Sequence, residues 1–320
     1  MSFVRGFALA LALAAIASAM EPPAQQNQSA FAVAMLRRDG VLVPFAVHDG
    51  RKWSSPWPSA AYRLEAPLTF QSIQRAWWGR VGPATTWIAW PAGRDPRAVH
   101  VRAPVVIPAH CLSTVGLQTD YQSPEIIPPP IQHHHPKDGI ATTGNETVEP
   151  IELLDGTSPE GARTLDLLTP EIEKAEIRAS LIGGWWRTRL TTRRRARNPL
   201  TLEVLCRSMR RPDGSVVYYF EAVRRFRPFP DEKPNCEQVA FTQGLVVVGA
   251  RGLAHSQINT TLTDCDRAEV DFALPLGTMT VNGRQHWIMQ FSGRGRERYT
   301  IFEIGDRIVR TVVDVLGGGC

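Results

Sequence analysis

No apolar run beyond residue 20 reaches the length of about 20 residues that a bilayer-spanning helix needs, so the chain after that point is expected to carry no transmembrane segment. The five cysteines contain no C-x-x-C pair, the usual spacing of a thioredoxin-like redox site or a zinc ribbon. No Gly-x-Ser-x-Gly elbow occurs, and no serine has lysine three residues on. Those are the nucleophile contexts of α/β-hydrolases and penicillin-recognising enzymes. No two histidines stand four apart with glutamate between them, as a zinc metalloprotease helix requires. No internal repeat of fixed period appears, so a propeller is not expected. Lysine is scarce, and nearly all the positive charge is arginine, the residue suited to bidentate contacts.

What is present begins with an address. Residues 1–5 carry one positive charge, residues 7–16 are continuously apolar, and Ala17-Ser18-Ala19 precedes Glu21-Pro22-Pro23. Residues 1–20 therefore read as a secretory signal peptide, and the mature chain is expected to be secreted or periplasmic, where disulfides form. Residues 21–30 are rich in Pro, Gln and Ser and are expected to be disordered. Charge then divides the chain. Residues 21–122 hold 10 basic and 6 acidic side chains, residues 123–182 hold 4 and 11, and residues 183–320 hold 21 and 14. Basic ends around an acidic middle fit an anionic partner, an envelope component or another exported protein. Nucleic acid is not expected in that compartment.

The patterning predicts a mainly β fold of two antiparallel β domains, of sandwich or barrel type, with a short α-helical segment before the second. Two apolar runs flank Asp39-Gly40, a strong hairpin signal because both residues tolerate positive φ. Residues 86–90 and 98–107 read as strands, and no helical period precedes residue 120, so residues 31–122 are expected to form the first domain. Pro128-Pro129-Pro130 and His133-His134-His135 mark residues 123–157 as a linker. Ser158-Pro159-Glu160 and Thr169-Pro170-Glu171 each read as a helix start, giving two short helices within 158–182, broken at Pro170. Leu165, Leu168, Ile172, Ala175 and Ala179 share one apolar face. Strands at 200–206, 216–226, 245–251, 270–274, 279–281, 286–291, 298–304 and 308–313 complete a second domain over 183–320.

Four cysteines lie in that last third and allow three pairings. The expected bridges are Cys206 to Cys236 and Cys265 to Cys320, with Cys111 buried and free. Candidate binding residues are Trp78 and Trp186, each one of an adjacent tryptophan pair, with Arg187, Arg193, Arg194 and Arg195 from the densest basic stretch. Tryptophan and arginine dominate binding hot spots, although tryptophan also fills small β cores and arginine also guards sheet edges. His133–His135 could ligate a metal, but neighbouring residues point apart, so no metal or other cofactor is expected. Pro108-Ala109-His110-Cys111-Leu112 resembles the segment around the catalytic histidine of trypsin-like serine proteases. The Gly-Asp-Ser-Gly segment that family also needs is absent. His110, Cys111, His255, His286, Asp120 and Glu221 are the remaining catalytic candidates. The leading expectation is a non-enzymatic binding or assembly module using surface aromatics and arginines, and the alternative is a secreted hydrolase of unrecognised type. A cleft gathering histidine and carboxylate would favour the hydrolase. A flat patch of exposed tryptophan and arginine would favour the binder.

Overall fold

Asp39 and Gly40 reverse the chain between β1 (Phe31–Arg37) and β2 (Val41–His48), which pair antiparallel. Gly40 takes φ 79°, and a Cβ there would meet the Tyr121 carbonyl at 2.5 Å, so the turn admits only glycine. This hairpin begins the first unit of the computed structural model, which describes residues 29–61, 68–125, 137–182, 191–226 and 237–320. The expected signal peptide, His133–His135, Trp186, Arg187 and Cys236 lie outside the described residues.

The hairpin continues into β3 (Trp53–Ser54), β4 (Thr86–Pro91), β5 (Arg97–Ala109), β6 (Leu112–Thr119) and β7 (Lys137–Thr142). Six strands close into an antiparallel barrel in the order β1-β7-β4-β5-β6-β2, with β3 added beside β2. Residues from all six strands meet in one cluster, among them Ala32, Ala34, Leu42, Trp87, Ala89, Val99, Leu117 and Ala141. A six-strand barrel is narrow, and the small alanines leave room for the fully buried Trp87 ring. Trp57 and Trp78, from the connection between β3 and β4, fill the same core in a T-shaped pair at 5.1 Å between centroids. Residues 137–142, expected in a linker, supply the strand that pairs β1 with β4. Their own alternation is short, and only the barrel on either side makes them a strand.

After the barrel come β8 (Val148–Glu149), β9 (Glu152–Leu153), α1 (Pro159–Ile182), α2 (Thr192–Ala196), β10 (Leu200–Arg207), β11 (Val216–Phe226), β12 (Gln238–Gly249), β13 (Gly252–Thr263), β14 (Phe272–Val281), β15 (Arg284–Gly293), β16 (Arg296–Ile304) and β17 (Val309–Gly319). These strands form a central sheet, β17-β16-β15-β14-β8, and an outer sheet, β13-β12-β11-β10-β9. The central sheet is buried on both faces. Met279, Ile288, Ile301 and Val313 pack on the outer wall of the barrel through Val33, Met35, Val43 and Phe45. Trp287, Met289, Phe291 and Ile304 face the other way, onto Val217, Tyr219, Leu245 and Val247 of the outer sheet. The far side of the outer sheet receives Leu168 and Ile172 of α1. The layers run barrel, central sheet, outer sheet, helix.

Three differences from the sequence expectation have clear causes. The helix α1 is unbroken through Pro170. Pro170 and Asp166 are exposed, so the carbonyl left without its amide partner faces water, and burial of Leu168, Ile172 and Ala175 holds the face in register. The strand β13 was not anticipated, because its Ser, Gln, Asn and Thr residues dilute the apolar alternation and pairing with β12 defines it. The disulfides also pair differently. Cys111 bonds Cys320 across 209 residues, Cys206 is a free, buried thiol, and Cys265 is disulfide-bonded. The Cys111–Cys320 bridge is possible because the tail is strand. Gly317 lies flat on the Tyr299 ring, where a Cβ would approach to 2.6 Å, and the Cys111 amide donates to the Gly319 carbonyl at 3.1 Å.

Two buried ion pairs join the layers. Lys137 on β7 donates to Glu297 on β16 at 2.8 Å, tying barrel to central sheet, and the Tyr299 hydroxyl donates to the same carboxylate. Arg224 on β11 donates to Glu176 on α1 at 2.9 Å and to the carbonyls of Arg195 and Asn198. Glu176→Ala is expected to lower unfolding free energy by about 3 kcal/mol, because the buried Arg224 charge would keep only the more distant Glu173 carboxylate, at 3.7 Å. Replacing both by apolar residues of similar volume is expected to cost far less, and equilibrium urea unfolding checks both. In the same assay Cys111→Ala with Cys320→Ala is expected to cost up to about 5 kcal/mol, since the bridge closes a very long loop.

Candidate functional site

Two tight turns meet where the barrel abuts the central sheet. Asp49-Gly50 carries β2 into β3, and Asn282-Gly283 carries β14 into β15 with φ of 50° and 73°. Positive φ at both central positions is the requirement of a type I′ hairpin turn. The Asn282 side-chain amide donates to the Gly50 carbonyl at 3.4 Å, so the two turns touch. Between them opens a cleft of about 440 Å³ lined by His48, Arg51, Lys52, Trp53, Arg284, His286, Glu303 and Arg310, with Val281, Asn282 and Val312.

Trp53 forms the aromatic floor. Its ring lies 5.0 Å from His48, 5.5 Å from His286 and 5.5 Å from Phe31. The His48 Nδ1 accepts from the Gly50 amide at 3.3 Å, which places its ring proton on Nε2 when neutral. The His286 ring is the reverse. Its Nδ1 stands 3.0 Å from the Arg284 carbonyl, so Nδ1 donates and Nε2 carries the lone pair. That Nε2 is 3.6 Å from the Glu303 carboxylate, too far for a hydrogen bond. Glu303 is occupied elsewhere, accepting from Arg310 at 2.6 Å and Arg284 at 2.9 Å.

Burial dominates the electrostatics of the imidazoles. It lowers the His286 pKa to about 4 against the attraction of Glu303, and it lowers that of His48. Burial also acts to raise Glu303, but hydrogen bonds from Arg310 and Arg284 outweigh it and hold the carboxyl below its ordinary range. At neutral pH the cleft therefore presents two neutral imidazoles, one carboxylate and four cations. Arg51 and Lys52 are exposed at its mouth.

The fold scatters the sequence candidates that lie among the described residues. Trp78 is in the barrel core and only 3% exposed, so it offers no surface. Arg195 is likewise buried, 3.8 Å from Glu173. Arg194 lies over the Phe226 ring at 5.2 Å, and only Arg193 of the three is fully exposed on α2. Arg194 and Arg195 pack α2 against Phe226 and Glu173, while Arg193 faces solvent. Cys111 is in a disulfide and cannot serve as a nucleophile. His110 sits beside that bridge with φ 64°. Asp120 pairs with exposed His100 at 3.1 Å. Glu221 is buried, accepting from Tyr219 and the Ala273 amide. His255 lies on β13. Among the described candidates, only His286 lines the cleft. The residues that build the rest of it, His48, Arg51, Lys52, Trp53, Arg284, Glu303 and Arg310, were not singled out. A signal existed, since both Asx-Gly turns are visible in sequence and each is followed directly by arginine.

A second cavity of about 290 Å³ lies between central and outer sheets, lined by Gln243, Gln257, Asn259, Phe302, Thr311 and Asp314, among others. None of its lining side chains has a buried polar atom without a partner. Among the described residues no group of His, Cys, Asp and Glu could hold a metal ion, and no helix is long and apolar enough to cross a membrane. No protein-family model, curated protein or solved structure matches the chain.

A pH dependence follows from His286. The unfolded chain takes up this proton near pH 6.5, and the folded chain only near pH 4. Between those values the unfolded state holds more protons, so the contribution is complete above pH 6.5 and is lost as pH falls towards 4. Its full size is about 3 kcal/mol. Urea unfolding at pH 7 and pH 4.5 is expected to show a smaller acid loss for His286→Gln than for the parent chain. Equal losses would contradict the assignment.

Proposed function

We propose that the chain is an exported binding or assembly module that captures an anionic group of an envelope or extracellular partner in the cleft between barrel and central sheet. The observation that carries this reading is the convergence of Arg51, Lys52, Arg284 and Arg310, from three separate segments, on one concave site with a single carboxylate. Such a site focuses positive potential and raises the local concentration of an anion. Arginine also offers bidentate donors to carboxylate or phosphate, and Glu303 uses only one nitrogen of Arg284 and one of Arg310. The sequence pattern of residues 1–20 supports export, and the Cys111–Cys320 bridge accords with an oxidising compartment.

The alternative, a secreted hydrolase, draws on the approach of His286 to Glu303 within the same cleft. The lining residues include no serine, threonine or cysteine. Such a reaction would need water as nucleophile, with His48 or His286 as base.

Isothermal titration with polygalacturonate, at low and high ionic strength, separates these readings. Binding without turnover is expected, weakening as salt screens the cleft. Arg51→Ala with Lys52→Ala is expected to weaken it roughly tenfold, about 1.4 kcal/mol. Salt-insensitive binding, or affinity unchanged in the double variant, would overturn the proposal. Cleavage of the polymer, lost in His286→Gln, would establish the hydrolase instead.

A further inference from the structure

The cleft holds two buried polar atoms with no hydrogen-bond partner, the indole Nε1 of Trp53 and the imidazole Nε2 of His286. Their ring centroids are 5.5 Å apart, and both residues line the same cleft. The two atoms ask for opposite things. The indole N–H can only donate. The His286 Nε2 can only accept, because Nδ1 holds the ring proton against the Arg284 carbonyl. His286 is 2% exposed, and leaving a group so buried without a hydrogen bond is unfavourable, which a ligand with the right pair of groups would relieve.

This pairing sorts the anions. A sulfate or an acetate can accept from Trp53 and face the four cations, but it has no proton to give His286. It would instead set a second acceptor against the lone pair. A neutral sugar supplies both donor and acceptor and leaves Arg51, Lys52, Arg284 and Arg310 unused. A molecule that carries an ionised group and hydroxyls on one rigid ring satisfies all of them. Its hydroxyl also reaches a second acceptor, since the Glu303 Oε2 lies 3.6 Å from His286 Nε2. The cleft volume of about 440 Å³ falls within the usual range for a small-molecule site.

We propose that the cleft recognises an acidic sugar unit, a pyranose whose carboxylate lies among the arginines and whose hydroxyl donates to His286 Nε2. The inference rests on the anion-binding reading above and narrows it from any anion to a hydroxylated one. The sugar is read as the terminal or internal unit of a uronic-acid glycan.

The test uses the mature full-length chain and four probes, methyl glucuronide, methyl glucoside, acetate and sulfate, each titrated calorimetrically at low ionic strength. The glucuronide is expected to bind roughly tenfold or more tightly than any of the other three, about 1.4 kcal/mol. His286→Phe, which keeps a ring and removes the acceptor, is expected to erase the preference over acetate while acetate binding survives. Trp53→Phe removes the donor at a half-buried position and is expected to reduce the glucuronide affinity, which provides a check should the His286 variant fold poorly. Acetate or sulfate binding as tightly as glucuronide would overturn the sugar inference and leave the anion reading standing. A glucoside matching the glucuronide would overturn both, and so would the absence of binding by all four.

Discussion

Burial of the central sheet on both faces is the constraint on which the rest of the molecule depends. A strand such as β15 must be apolar on alternate residues in both directions, with Ile288 turned to the barrel and Trp287 and Met289 to the outer sheet. Neither partner could leave without exposing one of these faces to water, where burial is worth about 25 cal/mol per Å². The barrel and the later sheets are therefore packed units of one structure. Lys137–Glu297 and Cys111–Cys320 reinforce the same seam, one ionic and one covalent, with Glu297 paired to Gly318 two residues before Cys320.

The candidate site is a consequence of that seam. Where two convex turns meet at the end of a packed interface, side chains cannot fill the gap, and a cleft remains between β2–β3 and β14–β15. The turns need Asx-Gly dipeptides for their backbone, and the next residues point into or over the opening. Arg51 and Arg284 occupy equivalent places after Gly50 and Gly283. His286 lies deeper along the strand, and the barrel closes over it. Its low pKa and its unmet lone pair both come from that enclosure.

Local features of the fold were legible from sequence where a short-range rule decides the outcome. The Asp39-Gly40 hairpin, the Pro159 helix start and the strands at 200–206, 216–226 and 298–304 all follow from turn chemistry or alternation within a few residues. Features set by long-range packing were not legible. Residues 137–142 look like loop until β1 and β4 bracket them, and Cys320 looks tethered to its neighbours until Tyr299 and Gly319 carry the tail to Cys111. The same limit explains the site. Trp78 is indistinguishable in sequence from an exposed tryptophan, yet the barrel needs it inside. His48 is far in the chain from Glu303 and Arg310, which face each other across β16 and β17, and only the docking of barrel on sheet brings it to them.

The central claim is that the barrel seals His286 into a cleft with its Nε2 unprotonated and unpartnered. Imidazole nitrogen NMR of the histidine-labelled chain across a pH titration measures this directly. The account predicts one histidine that titrates near pH 4, holds its proton on Nδ1 at neutral pH, and moves when methyl glucuronide is added. A His286 resonance that titrates near its ordinary value of about 6.5, with protons exchanging between both nitrogens, would mean that water reaches the ring freely. The enclosed cleft, and the binding chemistry derived from it, would then be wrong.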